Sequence, residues 1–164
     1  MLLACGAIVG ATWHWGLRLN TSRSEPRGLY RMLATAPSRG AFVAVCLPPD
    51  VARFGRARSY LGPGDCPGGV QAAIKRVVAI PGDIVDVGPA GIRVNDRPLP
   101  DSATSAVDSA GRPLPHVPWG RHVAPREQVW LLGTGDPRSW DSRYFGPVSL
   151  AHVRATVAPV LTVD

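Results

Sequence analysis

Lysine is nearly missing from this chain of 164 residues: of its 18 basic residues, Lys75 is a lysine and the others are arginines. Basic clusters are missing too, because no five basic residues follow one another, so the net charge of +6 gives little support to nucleic-acid binding. The three cysteines form no C-x-x-C pair and have no histidine at zinc-ligand spacing. We therefore expect no metal site, no cofactor and no nucleic-acid partner.

The chain does contain enough apolar sequence for a core. Hydrophobic residues make up 45% of it, and its length corresponds to about one domain. The 18 glycines and 17 prolines predict many turns between short strands.

The first 17 residues carry no charged side chain. As a helix they would be about 25 Å long against a hydrocarbon core of about 30 Å, and Trp13, Trp15 and Arg18 suit a membrane interface. We expect residues 1–19 to be a membrane anchor or signal-anchor and residues 20–164 to form one folded domain. A cleavable signal peptide and a buried core helix are the alternatives. The arginines that follow the segment favour a cytoplasmic position for the domain, in conflict with the chemistry described below.

The rest of the sequence is typical of a mainly antiparallel β domain with short helices, preceded by the N-terminal apolar helix. Short β-branched runs recur between Gly, Pro and Asp, and no helical apolar period dominates. The expected strands are 42–47, 74–80, 84–87, 92–94, 129–132 and 157–163. We also expect a short helix at 51–61, a loop at 62–69 and an extended surface excursion at 101–127.

Two residues indicate chemistry. Ser24, two residues before a proline, is by itself a turn residue whose hydroxyl bonds nearby backbone. Lys75 lies in an apolar strand, where it is either a snorkelling edge residue or an amine kept neutral by desolvation, able to take the proton of a hydroxyl. Alternation along a strand places Lys75 on the face of Val77 and Ala79, opposite Arg76.

A third block, residues 135–148 (GDPRSWDSRYFGPV), combines polar residues with Trp140 and Phe145. This composition suits a hydrogen-bonded loop packed on the core. The alternative is a solvated turn.

Together the three blocks resemble a family. Ser-x-Pro-x-Gly-x-Tyr after an apolar segment, then Lys-Arg-Val-Val-Ala-x-Pro-Gly-Asp, then Ser-x-Asp-Ser-Arg-Tyr-Phe-Gly-Pro-Val are similar to the type I signal peptidases, most closely their conjugative-transfer, TraF-type branch. The resemblance implies a signal-peptidase-like catalytic domain. It also implies a membrane-associated endopeptidase that processes an exported precursor, such as a conjugative pilin, on the periplasmic side of the bacterial inner membrane.

The resemblance assigns the catalytic pair by position. Ser24 matches the nucleophile and Lys75 its general base, in accord with the need of a serine hydroxyl for a positioned base at neutral pH. Ser22 matches a side-chain oxyanion donor, which acts together with the backbone N–H of Ser24. The acyl-enzyme would then react with water or with an amine, which gives linear or cyclic products.

Three further residues match the family's supporting positions. Ser139 matches the hydroxyl that orients the lysine, and Asp141 and Arg143 match the pair that braces the site. Glu25 stands where signal peptidases usually have methionine. The block before Ser139 is shorter than in housekeeping enzymes, which favours the TraF-type branch.

If the domain is exported, Cys46 and Cys66 are expected to form a disulfide, because both flank the loop-rich stretch before Lys75. Closing a loop of about 20 residues is worth about 3 kcal/mol in the chain-entropy model. Cys5 would stay free. The family also implies cleavage after Ala-like residues, with the substrate along a strand edge.

Three other interpretations have less support. For a Ser-His-Asp triad, His14 lies in the apolar segment, and His116, His122 and His152 lie in no nucleophile-type motif. A self-cleaving repressor of the SOS type would need a DNA-binding module before Ser24, where 23 residues stand. A basic accessory protein that binds DNA or acidic membrane is the alternative from another class, and it predicts salt-sensitive binding that is indifferent to Ser24.

Overall fold

The computed structural model describes residues 16–163, which form one seven-stranded and one four-stranded antiparallel sheet with two short helices. The mainly β fold predicted from the sequence is confirmed, while residues 1–15 of the predicted apolar helix lie outside the described part. The strands are β1 (Leu17–Asn20), β2 (Arg27–Leu33), β3 (Phe42–Val45), β4 (Pro63–Cys66), β5 (Ala73–Ala79), β6 (Ile84–Gly88), β7 (Gly91–Val94), β8 (Arg97–Pro98), β9 (Gly120–Val123), β10 (Gln128–Leu132), β11 (Val148–Ser149) and β12 (Val153–Val163). The helices are α1 (Pro49–Ala57) and α2 (Ser142–Phe145), and a 3-10 turn spans Leu150–His152.

The larger sheet has the order β1-β2-β12-β3-β5-β10-β11. The long strand β12 pairs with β3 through its first part and with β2 through the rest, with a register shift between Pro159 and Leu161. This strand therefore joins the N-terminal hairpin of β1 and β2 to the strands that carry the core. The smaller sheet has the order β8-β7-β6-β9.

The boundary of the N-terminal segment differs from the expected one. Residues 17–19, expected in the apolar segment, belong to β1, where Leu17 pairs with Arg31 and Leu19 with Leu29. Pairing with β2 satisfies those of their backbone groups that face β2. Within residues 16–163, no helix is long and apolar enough to cross a membrane.

The strands predicted at 74–80, 84–87 and 92–94 are present as β5, β6 and β7. Strand β5 pairs with β3 and β10 in the larger sheet and not with β6, so the meander expected to begin at β5 is formed by β6, β7 and β8 alone. Asp83 closes the turn between β5 and β6, because its carboxylate accepts the Ile80 N–H at 2.8 Å and the Asn95 side-chain amide at 2.9 Å. Strand β5 is buried along nearly its whole length. It pairs with β10 in the larger sheet. Its residues Val78 and Ala79 belong to the core shared with β6 and β7.

Two regions are more ordered than expected. The predicted loop 62–69 contains β4, which forms isolated bridges to Val70. The expected disulfide between Cys46 and Cys66 is present and ties β4 to the end of β3. The excursion 101–127 contains a hairpin-like turn at 106–114, closed by backbone hydrogen bonds, and the strand β9.

Candidate active site

Ser24 lies in the loop between β1 and β2, and the buried side chain of Asn20 shapes this loop. Its amide nitrogen donates to the carbonyl oxygens of Glu25 at 3.0 Å and Pro26 at 3.1 Å. Its amide oxygen accepts from the N–H of Ser22 at 3.1 Å and from the Ser22 hydroxyl at 2.9 Å. One side chain thus holds both ends of the turn that carries Ser24.

The glycine and the tyrosine of the Ser-x-Pro-x-Gly-x-Tyr motif also have a structural explanation. The hydroxyl of the fully buried Tyr30 donates to the carbonyl of Pro26 at 2.7 Å. Gly28 has a φ of +143°, and a Cβ there would lie 2.1 Å from the carbonyl oxygen of Leu161 in β12. Glycine is therefore required where the loop that carries Ser24 enters β2.

The Ser24 hydroxyl lies 2.9 Å from the Ser22 hydroxyl. It also lies 3.5 Å from the carbonyl oxygen of Ile74, the residue that precedes Lys75 in β5. The Ser22 hydroxyl can stabilise a negatively charged oxygen that develops beside Ser24, once it turns its hydrogen away from Asn20.

Lys75 projects from β5, where it pairs with Val43, and its side chain is 4% exposed. Its Nζ donates to the Ser139 hydroxyl at 2.5 Å. Burial lowers the pKa of Lys75 to about 8, and the carboxylates of Asp141 and Glu25 limit the fall. A substantial fraction of this amine is therefore neutral slightly above neutral pH, which is the form that can accept a proton.

A fully buried ion pair supports Ser139. Arg143 donates to the two carboxylate oxygens of Asp141, from Nε at 2.8 Å and from Nη2 at 2.8 Å. The same guanidinium donates to the carbonyls of Ser139 at 2.9 Å and Ala103 at 2.7 Å. Asp141 also accepts the N–H of Gly133 at 3.0 Å. The pair therefore fixes the backbone of the loop that carries Ser139.

Gly133 lies between Ser24 and Ser139. A Cβ at this position would be 2.0 Å from the Ser139 hydroxyl oxygen and 2.9 Å from the Cβ of Ser24. Two residues further on, the N–H of Gly135 donates to the carbonyl of Ser24 at 2.9 Å. The loop after β10 is thus in direct contact with the loop that carries Ser24.

These groups face a cavity of about 190 Å³. Ser22, Ser24, Lys75 and Ser139 line it on one side. The other walls come from the turn at 106–114, the segment after α1 and the loop that bears Trp140. The described residues that line the cavity include no histidine, and within residues 16–163 no three His, Cys, Asp or Glu residues are grouped to hold a metal ion.

Asp108 fastens the turn at 106–114. Its carboxylate accepts from the Tyr60 hydroxyl at 2.5 Å, from Arg112 Nε at 2.7 Å and from Arg58 at 3.4 Å. Although burial raises the pKa of Asp108, the hydrogen bonds from Tyr60 and Arg112 outweigh it and hold the pKa well below its usual range. The outer wall of the cavity is therefore pinned to the segment after α1.

The structure brings the six predicted site residues together. Four of them line the cavity, and Asp141 and Arg143 lie behind Ser139. The sequence reasoning missed Asn20 and Thr134. It noted Glu25 as a departure from the family without predicting that its side chain is buried against Thr134. No local pattern identifies these contacts, because Thr134 is 109 residues away from Glu25 in the chain.

Comparison with known proteins identifies the family of this chain. The family described as signal peptidase, peptidase S26, matches residues 8–161. The chain therefore belongs to the S26 signal peptidase family, a family of serine peptidases, and the resemblance seen in the sequence is confirmed.

Relatives match over nearly the whole chain. A plasmid transfer protein TraF from Escherichia coli is 38% identical over 99% of this chain and 89% of its own length. A probable conjugal transfer protein TraF from Sinorhizobium fredii is 38% identical over 99% of this chain and 86% of its own length. Among solved structures, a signal peptidase I from Enterococcus faecalis matches with a TM-score of 0.44 and 21% identity, over 76% of this chain and 98% of that one.

Proposed function

We propose that this protein is a serine endopeptidase that uses Ser24 as nucleophile and Lys75 as general base to process an exported protein precursor in conjugation. The observation that carries the proposal is the buried Lys75 amine, which is bonded to Ser139 in the same cavity as Ser24. Burial of a lysine at this place costs stability. A lysine that acts as a general base needs the same desolvation, because desolvation favours its neutral form.

The reaction follows from the geometry. As Ser24 Oγ attacks the scissile carbonyl carbon, its proton passes to the neutral Nζ of Lys75, and the carbonyl oxygen takes up the negative charge beside Ser22 and the Ser24 N–H. When the C–N bond breaks, the Lys75 ammonium returns the proton to the leaving amine. Ser139 orients Nζ through both steps.

The resulting ester between Ser24 and the substrate then reacts with a second nucleophile. Lys75 takes a proton from an attacking water, or from an amine of the same substrate, and returns it to Ser24 Oγ as the ester bond to Ser24 breaks. Water gives a linear product and the amine gives a cyclic one. The names of the TraF relatives, which are plasmid and conjugal transfer proteins, support a substrate of the conjugation machinery, for which a pilin precursor is our candidate.

The location belongs to the same proposal. The apolar segment that precedes β1 would anchor the enzyme in the inner membrane, with the catalytic domain on the periplasmic side. The disulfide between Cys46 and Cys66 supports an oxidising compartment. A pilin precursor that has crossed the membrane would reach the site there.

Replacement of Lys75 by arginine is the decisive test. Arginine keeps the positive charge but stays protonated in proteins, so it cannot act as a base. We expect Lys75→Arg and Ser24→Ala to abolish processing of a candidate pilin precursor by the detergent-solubilised protein, as measured by mass spectrometry. Ser139→Ala should lower the rate about 10- to 100-fold, the loss of one hydrogen bond to a charged group.

Arg76→Lys is the matched control, because it changes the neighbouring cation on β5 and is expected to leave processing intact. The mass of the product also separates the two outcomes of the acyl-enzyme, since a cyclic product weighs one water less than its linear form. A folded Lys75→Arg protein that still processes its substrate at the wild-type rate would contradict the proposal. Binding of DNA or acidic vesicles that is unchanged in Ser24→Ala and falls steeply with salt would then favour the accessory-protein alternative.

A further inference from the structure

Glu25 directly follows Ser24, and its side chain is 1% exposed. One carboxylate oxygen accepts the N–H of Thr134 at 3.1 Å, and the other accepts the Thr134 hydroxyl at 2.6 Å. Both oxygens therefore act as acceptors, which suits the ionised form of the carboxyl group. The dyad mechanism described above gives this buried acid no role.

The contact between Glu25 and Thr134 joins the two loops that build the site. Glu25 belongs to the loop at residues 21–26 that carries Ser24, here named the nucleophile loop. Thr134 stands between two glycines that approach this loop. Gly133 lies between Ser24 and Ser139, and the N–H of Gly135 donates to the carbonyl of Ser24. The same loop continues to Ser139, the partner of Lys75. Movement at Glu25 would therefore change the position of the nucleophile relative to the base.

Glu25 also contributes negative charge at Lys75. The charged groups that act on Lys75 are Asp141, Glu25, Asp136 and Arg143. Asp141 shares both of its carboxylate oxygens with Arg143, which offsets its charge. The oxygens of Glu25 are held by an uncharged residue, so its negative charge remains available to its neighbours.

The balance at Glu25 itself includes the same lysine. Burial raises the pKa of Glu25, and the two hydrogen bonds from Thr134 and the charges of Lys75 and Arg76 act against this rise. Tyr30, which also faces Glu25, is neutral in the working range of pH, since burial and the charge of Glu25 raise the pKa of its phenol. The interaction between Glu25 and Lys75 is therefore mutual.

We propose that Glu25 is a positioning residue of this site, whose carboxylate, held by Thr134, fixes the nucleophile loop against the Ser139 loop and adds a negative charge to the surroundings of Lys75. Its catalytic consequence rests on the proposed Ser24/Lys75 dyad. Its effect on Lys75 does not, and can be measured without any substrate.

Because Lys75 is the chain's lysine, a protein labelled with ¹³C at lysine Cε gives one lysine titration that needs no assignment. In Glu25→Gln the amide oxygen still accepts the Thr134 N–H, but the negative charge is gone. We expect the Lys75 titration midpoint to fall by about 0.5 pH unit or more relative to wild type. Glu127→Gln, which changes the chain's other glutamate on the exposed surface, is the matched control and should leave the midpoint in place.

A reciprocal measurement keeps the test decisive if Glu25→Gln fails to fold. In wild type and in Lys75→Met, ¹³C at the glutamate carboxyl carbon reports Glu25 and Glu127 in the same sample. By linkage, loss of the lysine charge should move the Glu25 midpoint upward by a similar amount, while Glu127 stays in place as the internal reference. A Glu25 midpoint that is the same in both proteins would overturn the charge role.

The contact between Glu25 and Thr134 is tested separately by Thr134→Val, which removes the hydroxyl donor and keeps the backbone N–H, with Thr134→Ser as the conservative variant. We expect kcat to fall several-fold in the valine variant with KM little changed, and to recover in the serine variant. Equal kcat in all three proteins would overturn the positioning role of this contact. Failure of the dyad itself would show instead as an active Lys75→Arg enzyme, an outcome that neither titration depends on.

Discussion

Lys75, the proposed general base, lowers the stability of the folded protein at neutral pH. Desolvation lowers its pKa to about 8, so the folded protein binds this proton less tightly than the unfolded chain, whose lysine titrates near 10.5. Between these two values the unfolded state carries more protons, and stability contributed by this group rises with pH. At neutral pH the buried ammonium is therefore a cost, which the nearby carboxylates of Asp141 and Glu25 reduce.

The same pKa predicts the pH dependence of the reaction. In the proposed mechanism only the neutral amine takes the Ser24 proton, so kcat/KM should rise with pH and level off above about pH 8. The check is a rate profile on the wild-type protein between about pH 6 and about pH 9.5, in buffers matched for ionic strength. A profile that is flat or falls across this range would mean that the titration of Lys75 does not limit the reaction.

Among single residues, the sequence predicted the candidate catalytic residues better than the residues that position them. Ser24, Lys75 and Ser139 stand in short motifs with recognisable spacing. Asn20 and Thr134 do their work through contacts that ordinary sequence statistics do not mark, since an asparagine at a strand end and a threonine after a strand have many uses. Their roles follow from tertiary packing.

Among the elements, β5 could be predicted because its apolar run and the Pro81-Gly82-Asp83 turn define both its interior and its end. Strand β4 could not, because its sequence is rich in Pro and Gly, which disfavour strands, and the residues form bridges with Val70 only where the disulfide and the close approach of Gly64 to Gln71 hold them. Tertiary constraints override local propensity in that segment.

The turn at 106–114 is the element whose function was least evident beforehand. Its apolar residues Val107 and Leu114 form part of the cavity wall, and Asp108 anchors it through Tyr60, Arg112 and Arg58. Because the pKa of Asp108 is lowered, this anchor persists at neutral pH and is lost as the pH falls into the acidic range. The Asp108 contacts therefore hold this part of the cavity wall in place over the pH range in which the proposed base Lys75 becomes neutral.

Loosening this wall should affect substrate binding more than chemistry. Asp108→Asn replaces the carboxylate by an amide that cannot accept all of its hydrogen bonds, so we expect KM for the precursor to rise several-fold while kcat changes less than about twofold. Asp101→Asn, at an exposed position of the same excursion, is the control. Steady-state kinetics on both variants would show this split, and an unchanged KM in Asp108→Asn would remove the turn from substrate recognition.

For the whole molecule, the fold brings together three motifs that are distant in the sequence. Ser24 lies 50 residues before Ile74, whose carbonyl it contacts, and Lys75 lies 64 residues before Ser139. The long β12 makes this possible, because it pairs with β2 below the nucleophile loop and with β3 next to β5. The order of the three motifs in the sequence predicted the family. Their position in space depends on β12, which spans Val153–Val163 and is longer than the strand expected at 157–163.

The disulfide acts at the same scale, because Cys46 at the end of β3 and Cys66 in β4 enclose α1 and the segment that carries Tyr60 and Leu61 into the cavity wall. Its removal in Cys46→Ala/Cys66→Ala should lower the free energy of unfolding by about 3 kcal/mol, as measured by denaturant titration, since a loop of about 20 residues is no longer closed in the unfolded chain.

Thiol labelling of the unreduced, denatured wild-type protein tests the bridge directly. It should find one reactive cysteine, Cys5, and Cys5→Ala should leave none. Three labelled thiols in protein isolated from its native compartment would contradict both the bridge and the proposed oxidising location.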